Sequence, residues 1–303
     1  MAGDSVGAHR PRFLAVDLDG TLVDSHGSPH AGDVRAIRAA QRLGIHVTIA
    51  TGRLYSGTRE VAEALGLRHA IACVDGSHIV DAATHATLMS VSLGPSDASR
   101  VREEFARANL VSYVLADDAV AYDSRGAPYL PYVATWSKNV RANEDVFQSD
   151  LWSVPSGVSA VVGVGSRTQI DELTDFMACH LASSVQVTRF SVGSLGGPNR
   201  WALIARAAGA TKGSALRWMA EREGVAIEET VCVGDWLNDV PMFEAAGRSY
   251  AMGQSPREVK ERATDVLSET GERGGGVARV LAEAFGVVME EEGAGLRDGA
   301  AAG

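Results

Sequence analysis

The stretch Phe13-Leu14-Ala15-Val16-Asp17-Leu18-Asp19-Gly20-Thr21 begins with four apolar residues and then carries two acids. The apolar run is typical of a short strand that is buried on both faces, as in a parallel sheet. Open α/β folds bind their ligands at the carboxyl edge of such a sheet. Two solvated acids could simply end the strand. If they are buried, a cation or hydrogen-bond donors must offset their charge.

The residues that follow repeat this pattern. A helix with apolar residues at Val34, Ile37, Ala40 and Leu43 leads to a second buried strand, which ends at Thr51-Gly52-Arg53. A right-handed crossover would place both strand ends on the same edge of the sheet. We therefore expect Thr51 to face the same crevice as Asp17 and Asp19.

The sheet pattern is interrupted and then resumes. After a third strand over 70–74, residues 78–197 show short alternating strands, two helices and scattered prolines, which predicts an inserted α+β cap domain. The core is then expected over 13–77 and 198–288, as an α/β fold with a Rossmann-like parallel sheet. Flexible or disordered tails are expected at 1–12 and 289–303.

Composition narrows the possible partners and location. The chain has 303 residues, 46% of them hydrophobic, and a formal net charge of -10, which argues against nucleic acid as a partner. No apolar run is long enough to span a membrane, and no signal peptide is recognisable. Three widely separated cysteines fit a reducing compartment. We therefore expect a cytoplasmic protein, and its oligomeric state stays open.

The resumed core supplies more polar residues at predicted strand ends. Lys212-Gly213 opens a helix, and the buried strand 230–234 is followed by Asp235-Trp236-Leu237-Asn238-Asp239. Several carboxylates near one edge make a site for a hard cation such as Mg²⁺. A lysine and free helix starts at the same edge can bind an anion. Together these groups predict a phosphoryl-transfer site.

Four segments in this order resemble the motifs of the haloacid dehalogenase-like phosphatases. They are Asp17-Leu18-Asp19-Gly20-Thr21-Leu22, Thr51-Gly52-Arg53, Lys212-Gly213 and Gly234-Asp235-Trp236-Leu237-Asn238-Asp239. The later segments Ala251-Met252-Gly253 and Ala263-Thr264-Asp265 are similar to the Cof-type branch of that family. The cap resembles the family only in its size and position.

The resemblance implies a role for each motif residue. Asp17 would be the nucleophile that becomes an aspartyl phosphate, and Asp19 the general acid and base. Lys212 would also pair with Asp17 and keep it ionised. The implied phosphate-binding residues are Thr51, Gly52, Lys212 and Asn238. The implied Mg²⁺ ligands are Asp17, Asp19 through its carbonyl, Asp235 and Asp239, the last as ligand or orienting residue.

Two positions depart from the family pattern. Asp75-Gly76-Ser77 stands where many relatives carry Asn-Gly-Ala, and Gly253-Gln254-Ser255 stands where Gly-Asn-Ala is common. Asp75 could alter what the site accepts, or it could be a turn residue only. In the cap, some aromatic residues and Arg125 either belong to the cap core or select the leaving group. These aromatic residues are Tyr122, Tyr129, Tyr132 and Trp136.

We therefore predict a Mg²⁺-dependent phosphatase that acts on a small phosphorylated metabolite, with sugar phosphates as the first expectation from the resemblance. Three alternatives stay open at this point. A phosphomutase or phosphotransferase of the same family would use the same residues. A non-catalytic metabolite-binding regulator could use the same scaffold. A protein phosphatase is the third, although a large cap would obstruct bulky substrates.

Overall fold

A computed structural model of the protein describes residues 11–192 and 200–288. Most of the two predicted tails and the predicted end of the cap, at 197, lie outside the described residues. In chain order the strands are β1 (Phe13–Val16), β2 (His46–Ile49), β3 (Ala70–Cys73), β4 (His78–Asp81), β5 (Thr87–Ser90), β6 (Val111–Ala116), β7 (Ala119–Tyr122), β8 (Val140–Ala142), β9 (Ala160–Ser166), β10 (Val185–Ser191), β11 (Arg200–Ala207), β12 (Thr230–Gly234), β13 (Arg248–Ala251) and β14 (Asp265–Val266).

Nine α-helices lie within the described residues. In chain order they are α1 (Ala31–Arg42), α2 (Tyr55–Ala64), α3 (Pro95–Arg107), α4 (Leu130–Trp136), α5 (Arg167–His180), α6 (Lys212–Arg222), α7 (Val240–Ala245), α8 (Arg257–Lys260) and α9 (Gly276–Phe285).

The core is a parallel sheet with strand order β14-β13-β12-β1-β2. β1 lies in its centre and pairs with β12 on one side and with β2 on the other. β3 continues the sheet beyond β2 through a parallel bridge between Ala50 and Ala72. The predicted α/β class with a parallel-sheet core is confirmed.

Both faces of the core sheet are covered by helices, as the four buried residues of β1 require. Leu14 and Val16 belong to a core cluster that includes Ile37 of α1 and Val277 of α9. Phe13 and Ala15 belong to another cluster, which includes residues of α6 and α7. Because successive strand residues point to opposite faces, one four-residue strand contributes to two hydrophobic layers.

A second sheet, which we call the cap sheet, has strand order β10-β11-β9-β6-β7-β8. Its strands are antiparallel except for the β7–β8 pair. Val114 belongs to a cluster with Phe105 of α3 and Ile170 of α5. Leu115, the next residue, lines the cavity between the cap sheet and the core. One face of the cap sheet is therefore covered by helices and the other faces the core.

The strand pairing favours boundaries of the cap that differ from the predicted ones. β4 and β5 pair with β3 and not with the cap sheet, so residues 78–90 extend the core sheet. β11 pairs with β9 and β10, so residues 200–207 belong to the cap sheet. Local strand patterns did not reveal these partners, because the pattern of a strand does not record whether it pairs with its neighbour in sequence, as β4 does, or with a strand far along the chain, as β11 does with β9. From the pairing we propose a cap that spans 92–207.

Helix α2 of the core contacts the cap at close range. Leu54 N donates to Trp136 O at 2.8 Å, and Ser56 N donates to the Asp118 carboxylate at 3.0 Å. A side chain at Gly57 would place its Cβ 2.4 Å from Trp136 O, so only glycine permits this approach.

Two further findings concern the cysteines and the helices. Cys73 and Cys232 are buried, whereas Cys179 on α5 is exposed. Within the described ranges, no helix combines the length and apolar character that crossing a bilayer requires.

Candidate active site

The carboxyl ends of β1, β2 and β12 bring the predicted site residues together. Asp17 follows β1 directly and is 5% exposed, and its N–H donates to Val233 O of β12 at 2.9 Å. Asp17, Asp19, Gly52, Asp235 and Asn238 line one cavity between the core and the cap sheet. The other three predicted residues, Thr51, Lys212 and Asp239, are fully buried beside it.

Lys212 joins two acids from different segments. Its Nζ donates to Asp17 Oδ1 at 2.5 Å and to Asp239 Oδ1 at 2.6 Å. The helix that carries it starts at a capping box, in which Ser214 N donates to Thr211 Oγ1 at 3.0 Å. The capping box fixes the first turn of α6, and Lys212 is therefore held by a rigid part of the backbone.

The charges around Lys212 do not balance. Burial by itself would lower the pKa of Lys212, but Asp17 and Asp239 raise it above its ordinary value. Burial and then repulsion from Asp239 raise the pKa of Asp17, and Lys212 only opposes this rise. The predicted pairing of Lys212 with Asp17 is present, but the lysine is shared with Asp239. That Lys212 keeps Asp17 ionised stays a prediction.

Asp235 lies near Asp17 and packs closely against Gly20, which has no side chain to prevent this contact. Gly20 has φ 78°, and a Cβ at that position would lie 2.5 Å from Asp235 Oδ2, so the turn needs glycine. Burial and then repulsion from Asp239 raise the pKa of Asp235 to about 7. Carboxylate oxygens of Asp17, Asp235 and Asp239 can all lie within 4.8 Å of one another. This is the spacing of a possible cation site.

Asp239 orients the loop after β12. Its Oδ2 accepts hydrogen bonds from Asp235 N at 2.8 Å and from Trp236 N at 2.9 Å, while its Oδ1 accepts from Lys212. Both oxygens are therefore engaged by the protein. This arrangement favours the orienting role that the sequence left open for Asp239.

Asp19 is bound by a residue to which the sequence analysis gave no role. Arg53 Nε donates to Asp19 Oδ2 at 2.8 Å, and Arg53 Nη2 donates to Asp19 Oδ1. The Asp19 side chain is 55% exposed, whereas that of Arg53 is 8% exposed. Arg53 belongs to the quoted Thr51-Gly52-Arg53 segment, so a signal for its role was present.

Asp75 is both a turn residue and a site residue. Its backbone is left-handed, with φ 52° and ψ 32°. Its Oδ1 accepts from Asn238 Nδ2 at 2.8 Å, and its Oδ2 accepts from Arg206 Nη1 at 2.7 Å. Arg206 belongs to β11 of the cap sheet. The only sequence signal for Arg206 was a charge inside the apolar run 201–208.

Gln254, the other departure from the family pattern, also reaches the site. Its Nε2 donates to Gly20 O at 2.6 Å and to Asp235 Oδ2 at 3.2 Å. It therefore holds together the two loops that follow β1 and β12. The sequence noted the position but gave it no contact with the acids.

The cavity has a volume of about 330 Å³, a size typical of small-molecule sites. Its floor is the polar set just described. Its upper wall is largely apolar and is formed by the cap residues Leu115, Tyr132, Trp136, Val162, Phe190 and Ile204.

The aromatic candidates of the cap divide into two groups. Tyr132 and Trp136 line the cavity, with ring centroids 5.2 Å apart in an edge-to-face arrangement. Tyr122 and Tyr129 pack against the hydrophobic core instead. Arg125 binds Asp123 and Asn109 and does not line the cavity. Two of the four aromatic residues thus face the site.

Comparisons with known proteins agree with this geometry. Residues 14–281 match the sequence profile of the haloacid dehalogenase-like hydrolases. The chain is 26% identical to the phosphatase YwpJ of Bacillus subtilis, over 87% of this chain and 96% of that protein. It is 25% identical to the pyridoxal phosphate phosphatase YbhA of Escherichia coli, over 85% and 93%.

Solved structures share the fold. A haloacid dehalogenase-like hydrolase from Bacteroides thetaiotaomicron superposes with a TM-score of 0.75 at 22% identity, over 91% of this chain and all of that one. The profile match covers most of the chain and both halves of the core. The chain therefore belongs to the haloacid dehalogenase-like hydrolase family.

Proposed function

We propose that the protein is a Mg²⁺-dependent phosphatase that hydrolyses small phosphate monoesters through an aspartyl phosphate on Asp17. The observation that carries the proposal is the position of Asp17. Its carboxylate lies at the floor of the cavity between the core and the cap sheet, with the Lys212 cation beside it and Asp19 two residues further along the chain. Named relatives are phosphatases.

The donor set fits a divalent cation. Asp17, Asp235 and Asp239 carry three negative charges when ionised, and Lys212 supplies one positive charge, so two negative charges are left. Burial, and after it repulsion from Asp239, raises the pKa of both Asp17 and Asp235. Asp17, Asp235 and the Asp19 carbonyl would hold Mg²⁺, with Asp239 orienting the loop. When bound, the ion would neutralise the phosphoryl oxygens.

Asp17 and Asp19 have different roles in the proposed reaction. An oxygen of Asp17 attacks phosphorus, the bond from phosphorus to the alcohol oxygen breaks, and Asp19 gives its proton to the leaving alcohol. Asp19 next takes a proton from water, whose oxygen attacks phosphorus and releases Asp17. Arg53 donates two hydrogen bonds to the Asp19 carboxylate and so positions it after it has given up its proton and before it takes one from water.

The phosphoryl group would be held by the loops around Asp17. Thr51 and Gly52 follow β2, and Asn238 lies in the loop after β12, where Asp75 fixes its amide at 2.8 Å. Lys212 adds the positive charge. Such groups act by positioning and charge stabilisation, which supply most of the catalysis in phosphoryl transfer.

The cavity wall supports a leaving group with a flat apolar surface. Trp136, Phe190 and Val162 offer aromatic and aliphatic contact, and we propose that the substrate presents a ring to them. The relative YbhA is named for pyridoxal phosphate, which carries an aromatic ring. This proposal modifies the first expectation of a sugar phosphate. The cytoplasmic location stays a prediction.

A phosphate-release assay over a panel of esters tests the function. We expect release with Mg²⁺, none with EDTA and none from Asp17→Asn, with ring-bearing esters such as pyridoxal phosphate preferred over hexose phosphates. Release that needs an added sugar acceptor would instead indicate a phosphotransferase. No turnover of any ester by wild type with Mg²⁺ would contradict the proposed function and favour the non-catalytic regulator.

A cap variant tests the proposed substrate class separately. Trp136→Ala should raise KM for a ring-bearing ester by about tenfold, because one aromatic contact is worth about 1 kcal/mol or more. The KM for a small acyl phosphate that does not reach the cap, such as acetyl phosphate, should change little. Tyr122→Ala, at a tyrosine packed against the core, is the control. Equal changes for both substrates would contradict the ring contact.

A further inference from the structure

Two histidines and a glutamate meet on the far side of the core from the catalytic cavity. His46 is the first residue of β2, His69 directly precedes β3, and Glu223 follows the last residue of α6. These are the amino ends of the strands, whereas the catalytic residues lie at their carboxyl ends. Helix α6 starts at Lys212, and its 11 residues separate the two places by roughly 16 Å.

The three side chains converge on one point. His46 Nδ1 lies 3.4 Å from Glu223 Oε2, and His69 Nδ1 lies 3.2 Å from the same oxygen. The three atoms all lie within 4.8 Å of one another. In a tetrahedral zinc site with bonds of about 2.0–2.1 Å, neighbouring ligand atoms are about 3.3–3.4 Å apart. The two measured distances match that spacing.

The ring nitrogen Nδ1 of His46 makes no hydrogen bond to the described residues. His46 Nδ1 is fully buried and has no hydrogen-bond partner among the described residues, although Glu223 is close. A buried polar atom without a hydrogen-bond partner destabilises the folded state, and a bound metal ion would remove this penalty. The rings of His46 and His69 are only 4.5 Å apart.

We propose that His46, His69 and Glu223 form a second metal site, which takes Zn²⁺ or a similar divalent transition ion. Two imidazoles and one carboxylate suit such ions and not Mg²⁺, whose preferred ligands are oxygens. The side chains of His46 and Glu223 are about one-fifth exposed and that of His69 is 38% exposed, so an ion can enter from the His69 side. The ion would tie the end of α6 to the starts of β2 and β3.

The proposed site of His46, His69 and Glu223 is separate from the catalytic cavity. It lies away from the cavity, and none of its three residues lines that cavity. We therefore assign it a stabilising role, since an ion that binds only the folded chain shifts the unfolding equilibrium. The proposal does not depend on the phosphatase reaction.

Titration of the metal-stripped full chain with Zn²⁺ against a chromophoric chelator tests the site. To separate it from the catalytic acids, the titration is repeated on Asp235→Asn, which should retain one tight site. His69→Ala and Glu223→Gln should each weaken binding at that site by at least tenfold, since even residues that only orient a ligand cost 10- to 100-fold. His78→Ala is the matched control, because the His78 ring hydrogen-bonds Thr87 and is not part of the cluster.

Two independent readouts support or overturn the proposal. Co²⁺ in place of Zn²⁺ should give a tetrahedral visible spectrum with Asp235→Asn that disappears in the Asp235→Asn/Glu223→Gln double variant. Zn²⁺ should raise the Tm of Asp235→Asn but not of that double variant. Glu223→Gln keeps the size of the side chain, so loss of folding does not explain these results. Equal Zn²⁺ affinity with and without Glu223→Gln, or no tight site in Asp235→Asn, would overturn the proposal.

Discussion

Arg206 of the cap sheet donates Nη1 to Asp75 Oδ2 at 2.7 Å, and the two side chains are 3% and 5% exposed. The pair joins the turn after β3, at the catalytic edge, to a strand of the cap. A buried ion pair of this kind contributes little net stability, but removal of one partner leaves an uncompensated charge. Asp75 therefore connects Asn238, in the loop after β12, to Arg206 of the cap sheet.

Asp75→Ala should destabilise the protein by about 3–5 kcal/mol, because it leaves the Arg206 charge buried without a partner. Alanine is also disfavoured in the left-handed conformation of this residue. Asp75→Asn should cost less, since asparagine tolerates that conformation and keeps an oxygen acceptor. Urea unfolding of the three proteins measures both effects. Both variants remove the charge, so equal losses would show that the oxygen acceptor and the left-handed turn conformation contribute nothing.

Lys212→Met should abolish turnover and lower stability by about 3–5 kcal/mol at neutral pH, because it leaves Asp17 and Asp239 buried side by side. The loss should be smaller at pH 5, where protonation relieves the repulsion. Tm at pH 5 and pH 8 measures this. Lys138→Met is the control, since Lys138 forms an exposed ion pair worth less than about 1 kcal/mol. A loss that does not change with pH would contradict the explanation.

The metal-free protein should lose stability as the pH rises from about 4 through 7. The pKa of Asp235 is about 7 in the folded chain, above its ordinary value of 3.8, so the folded state holds this proton more tightly than the unfolded state. The stabilisation is thus complete below about pH 4 and lost above pH 7. Mg²⁺ should restore it at the higher pH, because the ion replaces the proton.

Tm measured from pH 5 to pH 8, with EDTA and with Mg²⁺, checks this dependence. Asp235→Asn is the comparison variant, since it cannot ionise, and its metal-free profile should be flatter than that of wild type. Parallel profiles for the two proteins would exclude Asp235 as the titrating group.

Asp17→Asn should lower phosphate release by about 10³-fold or more while the Tm stays the same or rises. The nucleophile is lost, but asparagine still offers Lys212 an oxygen and removes a buried charge whose pKa is raised. Calorimetry beside the activity assay separates chemistry from folding. Release at the wild-type rate would rule out Asp17 as the nucleophile.

Much of the core could be predicted from the sequence, because its strands are short buried runs that end in polar residues. The runs at Phe13 and Thr230 predicted β1 and β12, which lie side by side. The edges of the cap could not be predicted in this way. β4 pairs with β3, its neighbour in sequence, whereas β11 pairs with β9, which lies far from it in the chain. The strand patterns alone did not tell these two cases apart.

The candidate active site could likewise be predicted only in part. The motif acids and Lys212 could be predicted to meet, since all of them follow strands or begin a helix at one edge. The supporting contacts could not. Gln254 reaches Asp235, and Arg206 reaches Asp75, across 19 and 131 residues, and each contact depends on how separate segments of the chain pack. The sharing of Lys212 between two acids was missed for the same reason.

The contrast between the three thiols offers a way to watch the cap. Burial raises the pKa of Cys73 and Cys232, so both are unreactive, whereas Cys179 stands exposed on helix α5 of the cap. A maleimide fluorophore should therefore attach at one place in the native chain without prior mutagenesis. Its emission anisotropy and quenching would then report, in real time, how that helix moves as each turnover begins and ends.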